Sequence, residues 1–114
     1  MRLKAGIWVS AYLRRLGAMA VPALVVRRGD GDAGAIYIKI NHLDGTVQVL
    51  RPASAGGELA AEERHWSAAF KAPRTEQEAD LWLARQREFD ADLWVIEVED
   101  KAGRHFLDEA LIEE

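Results

Sequence analysis

Two groups of residues in this chain combine types and spacings that could do chemistry. The first is Arg27-Arg28-Gly29-Asp30-Gly31-Asp32-Ala33-Gly34. Its glycines bring backbone N–H groups close together beside two arginines, a set that can hold an anion. It lacks the Gly-Lys-Ser/Thr of a phosphate loop, and a strand, not a helix, is expected after it. Asp30 and Asp32 have the spacing of a calcium loop, but Asn41 stands at the twelfth position, where a closing glutamate is required. A tight polar hairpin turn accounts for the same residues without a ligand.

The second group is acidic: Asp90, Asp92, Glu97, Glu99 and Asp100. Glu97 and Glu99 are two apart on an expected strand, so both carboxylates project from one face. With His105 across a turn, Glu97 and Glu99 form the candidate metal set, suited to Mg²⁺ or Ca²⁺ or to divided acid and base roles. A strand with one wet face and a surface carboxylate–imidazole pair would look the same. His42 and His65 are isolated, and no serine sits in a Gly-x-Ser-x-Gly elbow. No catalytic residue and no cofactor is indicated.

The elements that must position these groups are read from periodicity. Val9, Leu13, Leu16 and Ala20 recur at helical spacing, predicting a helix over Ala5–Leu16 with Arg14 and Arg15 in its last turn and Gly17 as terminator. A three-strand meander follows: Ala23–Arg28, Ala35–Asn41 and Thr46–Leu50, the last two joined by the Asp44-Gly45 turn. In the middle strand Ile36, Ile38 and Ile40 face one way, and Tyr37, Lys39 and Asn41 the other. Pro52–Gly57 reads as a loop, with a short helical turn before a strand near Trp66. Thr75-x-x-Glu78 is a capping box opening a helix over Glu76–Phe89. Its stripe is Ala79, Trp82, Leu83, Gln86 and Phe89. Leu93–Glu99 is a strand with Trp94, Ile96 and Val98 on one face, and His105–Leu107 is expected to pair back. The fold class is α+β: an antiparallel sheet of about five or six strands packed with two helices.

Bulk composition narrows the function classes. The 114 residues read as one domain, 1–114, without repeats. The absence of cysteine removes disulfides, thiol nucleophiles, Fe–S clusters and the common structural zinc sites, and suits a reducing cytoplasm. No stretch approaches the ~20 apolar residues of a membrane span. The basic, apolar start resembles a signal peptide, but Arg14 and Arg15 fall where a cleavage region should be uncharged.

Charge is sorted along the chain. Met1–Gly29 carries six basic side chains and no acid, whereas Glu76–Glu114 carries thirteen acids and four bases. Such a chain either pairs its halves in the fold or presents opposite-sign surfaces to a partner or to another copy of itself.

Three segments resemble the bacterial family known as domain of unknown function 1491. They are Arg2-Leu3 with Trp8-Val9, the Arg27–Gly34 loop, and the block Asp92-Leu93-Trp94-Val95-Ile96-Glu97-Val98-Glu99-Asp100. Ala91 stands where the family pattern has a proline between two aspartates. The resemblance implies a small soluble bacterial protein with a compact fold, and carries over no catalytic role.

The expected function is therefore a non-catalytic module that binds a protein partner or itself. Its partner- or anion-binding residues would be Arg14, Arg15, Arg27, Arg28, Gly29, Asp30, Gly31 and Asp32. The alternatives are a small metal-dependent enzyme using Glu97, Glu99 and His105, or a binder of nucleic acid or anionic membrane through the basic N-terminal third, with Trp8 as its aromatic. A pI near 5.4 speaks against nucleic acid.

Overall fold

The structure is a computed structural model and describes residues 2–53 and 64–113. The elements run α1 (Ala5–Ala18), β1 (Ala23–Arg27), β2 (Ile36–Asn41), β3 (Thr46–Pro52), β4 (Trp66–Ala68), β5 (Arg74–Thr75), α2 (Glu76–Phe89) and β6 (Trp94–Glu99). From β2 to β4 the strands lie side by side in chain order. The last strand breaks that order. β6 inserts between β1 and β2, giving the order β1-β6-β2-β3-β4, with β5 pairing onto β3.

That insertion changes two expectations. The sheet is mixed, because β6 runs antiparallel to β1 but parallel to β2, from Ile36 opposite Trp94 to Asn41 opposite Glu99. Only β2 and β3 form the expected hairpin; β1 is separated from β2 by β6 and does not join a meander with them. A parallel neighbour must come from a distant segment, since parallel strands need a long crossover. Here β6 is reached from β2 only by way of β3, β4, β5 and α2.

The two helices cover opposite faces of the sheet. Ala5, Val9, Tyr12 and Leu16 of α1 pack on Ile36, Ile38 and Ile40 of β2 and on Trp94, Ile96 and Val98 of β6. On the other face Ala79 and Leu83 of α2 pack with Val47, Val49, Leu93, Val95 and Phe70. Because both faces are covered at the centre, Val95 is buried like its neighbours Trp94 and Ile96. Trp8 belongs to the α1-side core, stacked on Tyr12 at 4.9 Å and beside Trp66 at 5.2 Å.

Local signals explain the helix ends only in part. At α2 the Thr75 Oγ1 accepts from the Glu78 N–H at 3.2 Å and donates to Glu78 Oε1, so the predicted cap is present and the span is Glu76–Phe89 as expected. At α1 Gly17 is inside the helix, and the left-handed residue is Ala20, φ +58°. Phe89, expected on the apolar stripe, is 89% exposed because it is the final helical residue.

Residues 105–107 form no strand. Phe106 is left-handed at φ +58°, and the segment lies against α1: the Tyr12 hydroxyl donates to the His105 carbonyl at 2.7 Å, and Arg15 Nη2 donates to the Phe106 carbonyl at 2.5 Å. The loop and helical turn expected before Trp66 fall largely on residues 54–63, outside the described residues. Among the described residues, no helix is long and apolar enough to cross a membrane.

Candidate interaction edge along β1

The Arg27–Gly34 loop is used as a bracket between three elements. A Cβ on Gly29 would run into the Asp92 and Leu93 backbone, and one on Gly34 would lie 2.5 Å from the Asp92 carbonyl oxygen. Glycine is required at both positions by close backbone approach. Asp30 N–H donates to the Asp92 carbonyl at 2.9 Å, and the Trp94 indole N–H donates to the Asp30 carbonyl at 2.8 Å. At the start of α1, Lys4 offers no capping side chain. Instead, loop carbonyls accept the first helical donors: Gly6 N–H to Gly31 at 2.8 Å and Ala5 N–H to Asp32 at 3.2 Å. The N–H groups of Asp32 and Ala33 bond to Asp30 Oδ2, so the loop's donors already hold its own carboxylate.

The four arginines of the candidate set are not gathered at one point. Arg15 is tied to Asp108 at 3.1 Å and to the Phe106 carbonyl. Arg14 is exposed on the same helix. Arg27 ends β1 opposite Val95, where its Nη2 donates to the Ala91 carbonyl at 2.6 Å and its Nε has no partner among the described residues. Arg28 lies over the Trp94 ring at 5.4 Å. Among the described residues, Arg14, Arg27 and Arg28 have no ion pair, and Lys4 has a surface pair with Asp32 at 3.7 Å.

Of the acidic residues, Asp90 and Asp92 stand in the turn beside Arg27 and the loop, and only Glu97, Glu99 and Asp100 lie toward the other end of the same pair of strands. Glu97 lies opposite Leu24, and Glu99 N–H donates to the Pro22 carbonyl at 2.9 Å. Glu97 turns to the α2 face, where the Lys39 ammonium meets it at 3.3 Å, Asp80 at 2.9 Å and Glu76 at 3.7 Å. Lys39 is 5% exposed, because α2 closes over it. Burial pulls its pKa down, but the Asp80 hydrogen bond and the charges of Glu97, Asp80 and Glu76 outweigh that, and the net direction is up. Lys39 is thus held as a cation.

The alternative metal set is dispersed. Glu97 serves Lys39, with Asn41 Nδ2 at 3.4 Å from its other oxygen, while His105 sits against α1 with its Nδ1 accepting from the Leu107 N–H. Burial lowers the His105 pKa, and Glu109 partly offsets this. Among the described residues, no three His, Cys, Asp or Glu side chains are placed to hold a metal ion.

Two features escaped the sequence. One is the Lys39 cluster, signalled only by a lysine between Ile38 and Ile40. The other is the apolar outer edge of the sheet. Leu24 and Val26 of β1 are 58% and 52% exposed, and Ile7 of α1 is 55% exposed. A groove of about 250 Å³ runs beside this edge on the α2 face, walled by Val26 and Arg27 on one side and Asp80, Leu83 and Arg87 on the other, with Lys39 at its floor. A second, of about 340 Å³, runs on the α1 face between Val25, Arg28 and the helix residues Ile7, Ser10 and Leu13. The edge strand is therefore flanked on both faces by open, partly apolar channels with cationic ends.

A profile for a protein family of unknown function, DUF1491, matches residues 3–108. The crystal structure of a DUF1491 family protein from Caulobacter crescentus CB15 superposes with a TM-score of 0.80 at 33% identity, covering 99% of this chain and 100% of that one. An NMR structure of a family protein from the same organism gives 0.80 at 35% identity, covering 99% of each chain. The solution structure of protein Atu0922 from A. tumefaciens gives 0.78 at 32% identity, covering 100% of this chain and 98% of that one. No curated protein matches the chain.

Proposed function

We propose that this chain, which belongs to the DUF1491 family of proteins of unknown function, is a non-catalytic interaction module that docks through segregated basic and acidic surfaces. The observation that carries this reading is how little of the charge sorting is spent internally. Among the described residues, one ion pair joins the basic first 29 residues to the acidic last 39: Arg15 with Asp108. The other ion pairs are local or use Lys39 from the middle of the chain. Among the described residues, Arg14 on α1, Arg27 on the α2 face and Arg28 over Trp94 on the α1 face have no ion pair, nor does Glu99 toward the other end of β6. Unpaired charge of opposite sign at separate places steers encounter and sets orientation, and its effect fades with salt.

The Arg27–Gly34 loop contributes by holding Arg27 and Arg28 in place, its own N–H groups being engaged by Asp30. The test is affinity capture from a native lysate at low and high ionic strength, comparing the wild type with R14E/R28E. Both sites are exposed, so the variant keeps the fold, unlike reversal of Arg15. Capture that weakens with salt and with the reversal supports the reading. Capture indifferent to both, or none, removes it.

A further inference from the structure

We infer that the free edge of β1 pairs antiparallel with β1 of a second copy, about a two-fold axis perpendicular to the sheet. This rests on the interaction-module reading and goes further by naming the partner and the contact.

The first argument is the edge itself. β1 ends the sheet, with β6 on its inner side and, among the described residues, no strand on the outer. Leu24, Val25 and Val26 are exposed there, and Ile7 of α1 is exposed above it. Natural sheets guard such edges, because an open row of N–H and C=O groups invites another strand. The opposite edge is guarded: Ile112 N–H donates to the Trp66 carbonyl of β4 at 2.7 Å, laying the C-terminal segment along it. Among the described residues, β1 is the five-residue edge strand left open, and pairing there about a two-fold closes after two copies and does not propagate into a fibre.

The second argument is polarity along that edge. At one end stand Arg27 and Arg28. At the other, about 13 Å away over four residues, Glu99 adjoins Pro22. An antiparallel two-fold sets each basic end against the acidic end of the other copy. The faces agree as well. Glu97 contacts Lys39 on the α2 face, so Glu99, two residues on, shares that face, and Arg27 lines the groove on it. An axis perpendicular to the sheet keeps the α2 faces of both copies on one side. Glu99 lies one strand inward, about 10 Å from the added strand at two strand spacings, a gap that an arginine side chain spans. Leu24 and Val26 of each copy then meet on that face, and the Ile7 side chains approach on the other.

Pro22 and the register shift between Val25 and Arg27 keep the paired segment short. Side-chain apolar contact and the two charge pairs therefore carry the association.

The test is sedimentation velocity and light scattering into the hundreds of micromolar, at low and high salt. The expected mass is twice 12.7 kDa, falling toward the monomer with salt. L24K/V26K, at two exposed positions with folding checked by circular dichroism, should be monomeric. R27E and E99K should each weaken self-association about tenfold. An equimolar mixture of the two should restore it as a heterodimer. One charge pair then joins the two substituted positions with their signs exchanged, and the other joins the unaltered Arg27 of the E99K copy to the unaltered Glu99 of the R27E copy. A wild type that stays monomeric, a dimer untouched by L24K/V26K, or a mixture that is not restored overturns the inference. If the wild type is monomeric while lysate capture still depends on Arg14 and Arg28, the interaction reading stands and only self-pairing falls.

Discussion

Replacing Lys39 with methionine removes one charge while keeping chain length and most of the packing. Three carboxylates then lose their common cation. They do not lose equally. The Asp80 and Glu76 side chains are 56% and 48% exposed and can turn to water, so their share is small. The Glu97 side chain is 21% exposed, on a central strand, and is left as a poorly solvated charge. Breaking a fully buried pair costs roughly 3–5 kcal/mol; discounted for the exposed partners, K39M should cost about 2 kcal/mol. For a chain this size that is a fall in Tm of roughly 8–10 °C. Urea and thermal melts followed by circular dichroism measure it. The pH dependence has a definite sign. The Lys39 pKa is raised, so its contribution is complete below the ordinary lysine value near 10.5 and is lost as pH climbs through the raised value. K39M/E97Q should recover at least half of the loss, since no uncompensated buried charge remains. A double variant no more stable than K39M, or a single variant within about 0.5 kcal/mol of wild type, would refute the electrostatic account.

Three further predictions concern other parts of the frame. G29A and G34A should each destabilise by about 3 kcal/mol, because a Cβ meets backbone that cannot move aside, whereas G31A, with nothing within 4 Å, should stay within about 0.5 kcal/mol; denaturant melts of the three variants check this. Y12F removes the 2.7 Å bond to the His105 carbonyl and should cost about 1 kcal/mol. Burial raises the Tyr12 pKa, only partly offset by Arg15, so absorbance titration should find this phenol un-ionised past pH 10 while the fold persists, with stability falling as pH rises beyond that point. The hydrogen bonds from Arg104 hold the Asp100 carboxyl down to about 2. D100N should therefore lower Tm at neutral pH, with the difference from wild type lost as pH falls from the ordinary carboxylate range through about 2.

Local patterns carried much of the fold. Thr75 and Glu78 bracket the start of α2, and the β2 and β6 alternations mark which residues face α1. The partner of a strand is a different matter. Alternation says which side chains share a face, not which strand lies beside them, so nothing in Leu93–Glu99 announced a place between β1 and β2. The Lys39 cluster was invisible for the same reason: alternation puts Lys39 on the face away from Ile38 and Ile40, but its three carboxylates are supplied by α2 and β6. At 105–107 the Phe-Leu pair favours a strand locally, but the hydroxyl of Tyr12 and the guanidinium of Arg15 claim the carbonyls of His105 and Phe106. Of the candidate site, Arg27 and Arg28 were legible as a pair. The edge they terminate was not, because exposure of Leu24 and Val26 depends on α2 lying over β3 instead of β1.

The late insertion of β6 sets the order in which a nascent chain can be completed at the ribosome. With residues 1–53 synthesised, α1, β1, β2 and β3 are all present, yet β1 has no neighbour to zip onto and β2 has only β3. Until residue 99 has emerged, the apolar faces of both helices' future seats stay wet, and the chain depends on a wedge strand arriving between two segments already made. Such non-local closure is slow and leaves sticky intermediates. Cells producing truncated forms that stop before Trp94 would accumulate chaperone clients, not a smaller version of this protein.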